Sequence, residues 1–186
     1  MPHAQPVHLT YADYVELPAD GRCYEIIRGK LYVSPSPFSV HQLVLATRRS
    51  FRREHGLGKV LFAPLDVILA DDSVVQPDLI YISEVRRPAI KGRWIHGAPD
   101  LVVEVLSEST SRKDRLVKRQ LYAEYGVRES WLVDVEARSI SLLGLRSRQR
   151  AYATIASGTG DRPLGSRVLA GLELRPSDVF VDLEGA

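Results

Sequence analysis

Two acidic residues in apolar surroundings are the part of this sequence best suited to chemistry. Glu104 stands inside the run 101–106, which is otherwise leucine and valine, and Asp78 stands between Pro77 and the apolar run 79–82. A buried, unpaired carboxylate is costly, so each of the two needs a cation, a lysine or a raised pKa. Two carboxylates brought together also repel each other, and Mg²⁺ or Mn²⁺ satisfies both through oxygen ligands. The pair predicts a divalent-metal site with room for water and phosphate.

Each carboxylate also has a purely structural interpretation. Asp78 can simply begin a strand after proline, and Glu104 can form a salt bridge with a core arginine. The residues between them leave room for two adjacent strands joined by a basic loop. Because carboxylates with perturbed pKa values cluster at functional sites, the two together favour the metal site.

Two more residues are candidates for the same site. Lys118 shares a helical stripe with Asp114 and Tyr122, which lie one turn to either side. From a helix that folds back over the sheet, Lys118 could orient or deprotonate a water molecule, or stabilise charge on phosphate. The alternative is a solvated lysine paired with Asp114. Glu25 lies among apolar residues of a predicted hairpin, and it either supports the metal or faces solvent on an edge strand.

Local patterns predict the elements that would position these side chains. A tight hairpin with glycine in its turn is predicted over 24–33, and a helix over about 40–54. The stretch 97–107 is rich in β-branched residues and too short for an amphipathic helix, which predicts a buried strand with Glu104 near its middle. A further helix is predicted over 112–125, with Gly126 placed to end it.

The order of these elements indicates the fold class. Strands are also predicted over 59–69 and 74–82, and a second hairpin over 130–145, whereas 86–96 is expected to be a basic loop. The order β-β-α-β-β-β-α-β-β predicts an α/β (α+β) fold in which helices flank a mixed sheet. No repeat or linker interrupts the chain, so residues 1–186 are expected to form a single domain.

Composition and charge limit the classes of protein that fit. The chain is 45% hydrophobic and 26% charged, as is usual for globular proteins, and a formal net charge of +2 does not by itself imply a nucleic-acid partner. Arginines and lysines form three clusters that would favour a polyanion if they bordered one cleft, namely 48–53, 86–93 and 112–119. A single cysteine, Cys23, excludes a disulfide framework. Neither a signal peptide nor a long apolar span occurs, so a cytoplasmic protein without membrane segments is expected.

A set of short motifs runs along nearly the whole chain, namely Tyr24–Gly29, Asp66-Val67, Gln76–Asp78, Ala98–Ser107, Lys118 with Tyr122, and Trp131–Asp134. Together they resemble the Uma2 family, whose members are similar to restriction endonucleases of the PD-(D/E)xK nuclease superfamily. The resemblance implies a restriction-endonuclease-like core with an N-terminal hairpin and helix extension. It also implies a Mg²⁺-type site and hydrolysis of phosphodiester bonds, with DNA as the favoured substrate.

The resemblance further implies roles for individual residues. Pro77-Asp78 matches the first acidic element of the superfamily and Glu104 the second, so both would bind the metal. Leu106 stands where the motif has lysine, and Lys118 would be a migrated replacement. Glu25 would match the acidic residue from the N-terminal part of the fold. Symmetric superfamily members and the cutting of paired strands make a homodimer plausible.

The leucine at position 106 and the modest net charge support a second hypothesis. The chain could be a catalytically inactive nuclease-fold module that binds nucleic acid or a protein partner. A third hypothesis is an assembly protein whose carboxylates are structural. Salt-sensitive DNA binding that persists in Asp78→Ala and Glu104→Ala variants, with an inactive wild type, would favour the module.

Overall fold

The computed structural model describes residues 7–35, 58–106 and 112–180. Its strands in chain order are β1 Arg22–Ile27, β2 Lys30–Pro35, β3 Gly58–Phe62, β4 Asp66–Ala70, β5 Ser73–Val75, β6 Leu79–Ser83, β7 Ile90–Lys91, β8 Trp94–His96, β9 Leu101–Leu106, β10 Glu129–Asp134, β11 Ser139–Arg146, β12 Ala151–Thr159, β13 Leu164–Gly165 and β14 Glu173–Leu174. Its α-helices are α1 Tyr11–Val15, α2 Arg112–Tyr125 and α3 Pro176–Phe180. Short 3₁₀ helices span Glu84–Ala89 and Ser147–Gln149.

The strands form two large mixed sheets. The first has the order β2-β1-β5-β4-β8-β7, and the second has the order β12-β11-β10-β9-β6-β3. β13 and β14 pair separately. The predicted α+β class is therefore confirmed, with two sheets where the sequence predicted one.

The hairpin β1–β2 has the tight turn that the sequence predicts. Ile27 pairs with Lys30, so the turn consists of Arg28 and Gly29 alone. Both residues have positive φ, 51° and 72°. A two-residue turn with two left-handed residues matches the natural twist of antiparallel strands, and glycine adopts that conformation without strain.

The chain crosses from the first sheet to the second at 76–78, so the predicted continuous strand over 74–82 is wrong. β5 ends at Val75 in the first sheet, and β6 begins at Leu79 in the second. Pro77 has no N–H to donate to a sheet ladder, which explains why pairing stops there. The break puts Asp78 at the seam between the two sheets.

The segment 86–96 has more regular structure than the predicted loop. Its first residues belong to the 3₁₀ helix, and the rest form the antiparallel pair β7–β8. Gly92, at φ 63°, permits the tight turn between these strands. Ile95 is fully buried and fixes β8 beside β4.

Strand β9 lies inside the second sheet, parallel to β10 and antiparallel to β6. Alternate β9 residues enter two different cores, because strand side chains alternate between faces. Leu101 and Val103 pack in one core, whereas Val102 packs in the core that includes Leu121 and Tyr122 of α2. Glu104 shares the Val102 face, so it points toward α2. The strand predicted within 97–107 is confirmed as Leu101–Leu106, and the predicted helix 112–125 is confirmed.

Some predictions concern residues that the structure does not describe. The helix expected over 40–54 and the basic cluster 48–53 lie outside the described residues. Among the helices of the described residues, none has the length and apolar character needed to cross a membrane.

Candidate active site

Lys118 bridges two carboxylates that come from different parts of the fold. Its Nζ lies 2.9 Å from Oε1 of Glu25 and 2.9 Å from Oε2 of Glu104. The exposed fraction is 12% for the Lys118 side chain, 12% for Glu25 and 15% for Glu104. β1 lies between β2 and β5, so Glu25 is not on an edge strand. The structure thus brings three of the four predicted site residues together.

Tyr122 forms a hydrogen bond with the Glu104 carboxylate oxygen that Lys118 does not contact. Lys118 and Tyr122 are one turn apart on α2, and that spacing puts both side chains on the same side of the helix. The Tyr122 hydroxyl donates to Glu104 Oε1 at 2.5 Å, while Lys118 donates to Oε2 at 2.9 Å. Each carboxylate oxygen of Glu104 therefore has its own donor. The alternative pairing of Lys118 with Asp114 involves a side chain outside the described part of the structure.

Asp78, the fourth predicted residue, lies at the same end of β9. Leu79 pairs with Val103 in the antiparallel ladder of β6 and β9. Continuing that register by one residue sets Asp78 opposite Glu104 on the same face of the sheet. Asp78 Oδ2 accepts the backbone N–H of Val105 at 2.7 Å. Within the described residues, Oδ1 has no hydrogen-bond donor, so it is available to a ligand.

The electrostatics of the site reflect burial and crowded carboxylates. Burial raises the pKa of Glu104 to about 7; the charge of Lys118 lowers it, and the charges of Asp78 and Glu25 raise it. Burial also raises the pKa of Asp78, against the hydrogen bond from Val105. For Lys118, burial lowers the pKa, but the two glutamates outweigh it and hold the pKa well above its usual value. The site therefore holds a charged ammonium and lacks enough positive charge for all its carboxylates.

A hydrogen-bonded network around Gln76 holds the Glu25 side chain in place. The Gln76 backbone N–H donates to Glu25 Oε1 at 2.7 Å, the oxygen that Lys118 also contacts. The Gln76 side-chain amide donates to Asp66 Oδ1 at 2.7 Å and to the Tyr14 hydroxyl at 3.0 Å, and it accepts from Cys23 Sγ at 2.9 Å. The Tyr14 hydroxyl in turn donates to Asp66 Oδ1 at 2.7 Å. The sequence alone does not predict a partner for Asp66, because these residues are far apart in the chain.

Comparisons with known proteins identify the family to which the chain belongs. A family model named Uma2 and described as "Putative restriction endonuclease" matches residues 11–177. The chain belongs to the Uma2 family. No curated protein sequence matches the chain. A solved structure described as a "putative nuclease belonging to DUF820 from Anabaena variabilis ATCC 29413" is similar, with a TM-score of 0.75, 19% identity, and coverage of 93% of this chain and 98% of that chain. At that identity, the similarity shows a shared fold.

In this Uma2 chain, Asp78 and Glu104 are the carboxylates of the site that could hold a hard divalent cation. Mg²⁺ usually binds one or two carboxylates and completes its shell with water and phosphate. Both residues are oxygen donors with raised pKa values, and Asp78 Oδ1 is open within the described residues. Among residues 7–35, 58–106 and 112–180, no group of three or more His, Cys, Asp or Glu side chains is arranged to hold a metal ion. A cation at this site would thus have these two carboxylates as its protein ligands.

Two other buried carboxylates of this Uma2 chain have a structural role instead. Asp100 contacts Arg86 at 3.4 Å and Arg128 at 2.8 Å, so part of the second basic cluster is already neutralised. Glu129 is fully buried and accepts the Trp131 indole N–H at 2.6 Å. Both carboxylates have protein partners of their own, and a buried charge with good partners is a common structural feature.

Removing the Gln76 side chain is expected to destabilise the protein. Gln76→Ala leaves Asp66 with one fewer hydrogen-bond donor and leaves the Cys23 thiol without its acceptor. That thiol is a protonated donor at neutral pH, because burial raises its pKa to about 11. Unsatisfied buried polar groups cost about 1–3 kcal/mol, so the free energy of unfolding should fall by that amount. Urea denaturation measures this free energy of unfolding. Gln120→Ala, at an exposed position of α2, is the control; equal unfolding midpoints for the two variants would contradict the network.

Glu104 is expected to make the metal-free protein less stable as the pH rises. Its folded pKa of about 7 lies above the ordinary value of 4.5, so the folded state binds this proton more tightly than the unfolded chain. The resulting stability is present below pH 4.5 and is lost as the pH rises to about 7. Glu104→Gln removes this loss. Between pH 4.5 and pH 8, the free energy of unfolding of the variant should therefore rise by about 3 kcal/mol relative to that of the wild type. Urea denaturation in EDTA measures both curves; parallel curves would contradict the prediction.

Proposed function

We propose that this chain is a metal-dependent nuclease that hydrolyses phosphodiester bonds, with DNA as its substrate. The observation that carries the proposal is the Lys118 ammonium held between Glu25 and Glu104, with Asp78 directly before the neighbouring strand β6. Membership in a family described as restriction endonucleases supports both the reaction class and the substrate. Asp78 and Glu104 would hold Mg²⁺ or Mn²⁺. When bound, the ion polarises a phosphoryl oxygen and lowers the pKa of water.

Lys118 would act as a hydrogen-bond donor rather than as a base. Glu25 and Glu104 hold its pKa well above the usual value, so the ammonium stays charged at neutral pH. An ammonium has three N–H donors, and Glu25 and Glu104 accept two of them. The third donor can bind the attacking water or a phosphate oxygen and stabilise the charge that develops there.

The remaining site residues would keep this donor in place. Glu25 fixes the ammonium from the hairpin side, and the Gln76 backbone N–H fixes Glu25. Tyr122 fixes the rotamer of Glu104 through the oxygen that Lys118 leaves free. Such support lowers the cost of ordering the site before the reaction, which is how positioning contributes to rate.

The proposal is tested by cleavage assays on duplex DNA, single-stranded DNA and RNA, each with Mg²⁺, Mn²⁺ or EDTA. We expect DNA cleavage with either ion and none with EDTA. Glu104→Gln, purified in parallel, controls for contaminating nucleases and should not cleave. The absence of metal-dependent cleavage of every substrate would contradict the proposal, and DNA binding without cleavage would favour the inactive binding module. Cleavage of RNA alone would show that the substrate is RNA rather than DNA.

Two further expectations belong with this proposal. A homodimer would suit the cutting of paired strands, and light scattering of the purified protein measures its mass directly. A cytoplasmic location would give a nuclease access to its DNA. Both stay predictions.

A further inference from the structure

Three arginines lie close together where β11 turns into β12. Arg146 ends β11, and Arg148 and Arg150 occupy the connection to β12. All three are exposed. The sequence has no aspartate or glutamate from Ala137 to Gly160, so the flanking sequence supplies no acidic residue to offset their charge. We call these three residues the arginine turn.

Like Arg115, Arg119 and Arg162, the three residues of the arginine turn have no carboxylate partner among the described residues, whereas several other arginines do. Arg22 pairs with Asp20, Arg28 pairs with Glu124, and Arg128 pairs with Asp100. Within the described part of the chain, no ion pair involves the arginine turn. Guanidinium groups without partners create a local positive potential, and their planar donors match phosphate oxygens.

Hydrogen bonds hold the arginine turn beside the helix that carries Lys118. The Tyr152 carbonyl accepts from Arg119 Nη2 at 3.4 Å, and the Tyr152 hydroxyl donates to the Val127 carbonyl at 2.8 Å. On the other side of the turn, the Leu145 N–H donates to the Arg128 carbonyl at 2.9 Å. Both strand ends at the turn are therefore attached to α2 or to the residues directly after it.

This attachment brings the turn close to Arg119, the residue next to Lys118 on α2. Arg119 directly follows Lys118, and it contacts the residue that lies two positions after Arg150. Two strand residues span about 7 Å, which is comparable to the axial rise of two nucleotides of one DNA strand at about 3.4 Å each. The turn therefore lies beside the helix that supplies Lys118 to the site.

We propose that the arginine turn binds the phosphate backbone of the nucleic acid on which the Lys118 site acts. This inference rests on the proposed function, because the site supplies the reason for nucleic acid rather than another polyanion. The contacts would be to phosphates and would carry no sequence information, since exposed guanidinium groups on a turn bind charge rather than base edges. The second basic cluster is less suited to this task because Arg86 is paired with Asp100.

The test compares binding of a duplex DNA of arbitrary sequence by the wild type, a turn variant and a charge-matched control, in EDTA so that no cleavage occurs. The turn variant is Arg146→Gln/Arg148→Gln/Arg150→Gln. The control is Arg22→Gln/Arg162→Gln/Arg175→Gln, which removes the same charge at exposed positions outside the arginine turn. Fluorescence anisotropy at several salt concentrations gives the Kd and its salt dependence.

We expect the turn variant to bind at least about tenfold more weakly than the control at 0.1 M salt. The slope of log K against log salt should become shallower by about 0.9 for every phosphate that the variant no longer binds. Equal affinity of the turn variant and the wild type, or an equally weakened control, would overturn the inference. Wild-type DNA binding that depends on the turn, without cleavage under any metal, would overturn the proposed function and reduce the inference to nucleic-acid binding by the turn alone. No wild-type binding to DNA or RNA would overturn both.

Discussion

Replacing Lys118 with methionine is expected to lower kcat for DNA cleavage by at least about 10²–10³-fold, the usual cost of removing a donor to developing charge. Methionine keeps much of the side-chain volume and removes the ammonium that lies 2.9 Å from both glutamates. Lys118→Arg should fail too, because a guanidinium is planar and cannot reproduce the donor geometry of an ammonium between two carboxylates. Single-turnover cleavage with saturating metal measures the chemical step.

The Lys118→Met variant should also be less stable, which gives a second readout. Removing one partner of a buried ion pair costs about 3–5 kcal/mol, and here two carboxylates are left without their shared cation. Lys91→Met, at an exposed position of β7, is the control and should keep both activity and stability. Cleavage at the wild-type rate by a folded Lys118→Met protein would contradict the role of Lys118.

Glu104→Gln and Asp78→Asn are expected to abolish metal-dependent cleavage while the protein stays folded. Each amide keeps the shape of the side chain but loses the negative charge that a hard cation requires. Burial raises the pKa of both carboxylates, so their removal relieves an unfavourable charge in the metal-free protein. Calorimetric titration with Mn²⁺ should show binding to the wild type and at least about tenfold weaker binding to each variant.

Asp134→Asn is the matched control for the two metal-ligand variants. Asp134 is an acidic residue on the adjacent strand, paired in register with Leu106, and it accepts the Ala137 N–H at 2.9 Å. It therefore has a local structural partner, and its replacement should leave Mn²⁺ affinity and cleavage unchanged. Wild-type Mn²⁺ affinity in Glu104→Gln, or equally weakened binding in Asp134→Asn, would contradict the assignment of the ligands.

Local sequence patterns were sufficient to predict the secondary-structure elements around the site. The Arg28-Gly29 turn and the β-branched run 101–106 each depend on residues close together in the chain. The end of α2 near Gly126 has the same local origin, since glycine at φ 83° favours helix termination. Such features depend on backbone preferences that tertiary packing reinforces.

The placement of Lys118 and Glu25 could not be decided from the sequence. Helical spacing puts Lys118 and Tyr122 on one face, but only the packing of α2 on β9 determines that this face covers Glu104. Likewise, Glu25 is shielded because β5 pairs beside β1, a contact between distant segments. The sheet crossing at Pro77 and the Gln76 network have the same non-local origin.

The most direct test of the proposed metal site is diffraction from crystals grown with MnCl₂, measured for anomalous scattering by manganese. We expect a peak bonded to carboxylate oxygens of both Asp78 and Glu104 at about 2.1–2.2 Å, close to the distance typical of Mg²⁺–oxygen bonds. Lys118 should still contact Glu25 in that structure. A fully occupied manganese elsewhere, with no peak between Asp78 and Glu104, would contradict the metal-dependent mechanism.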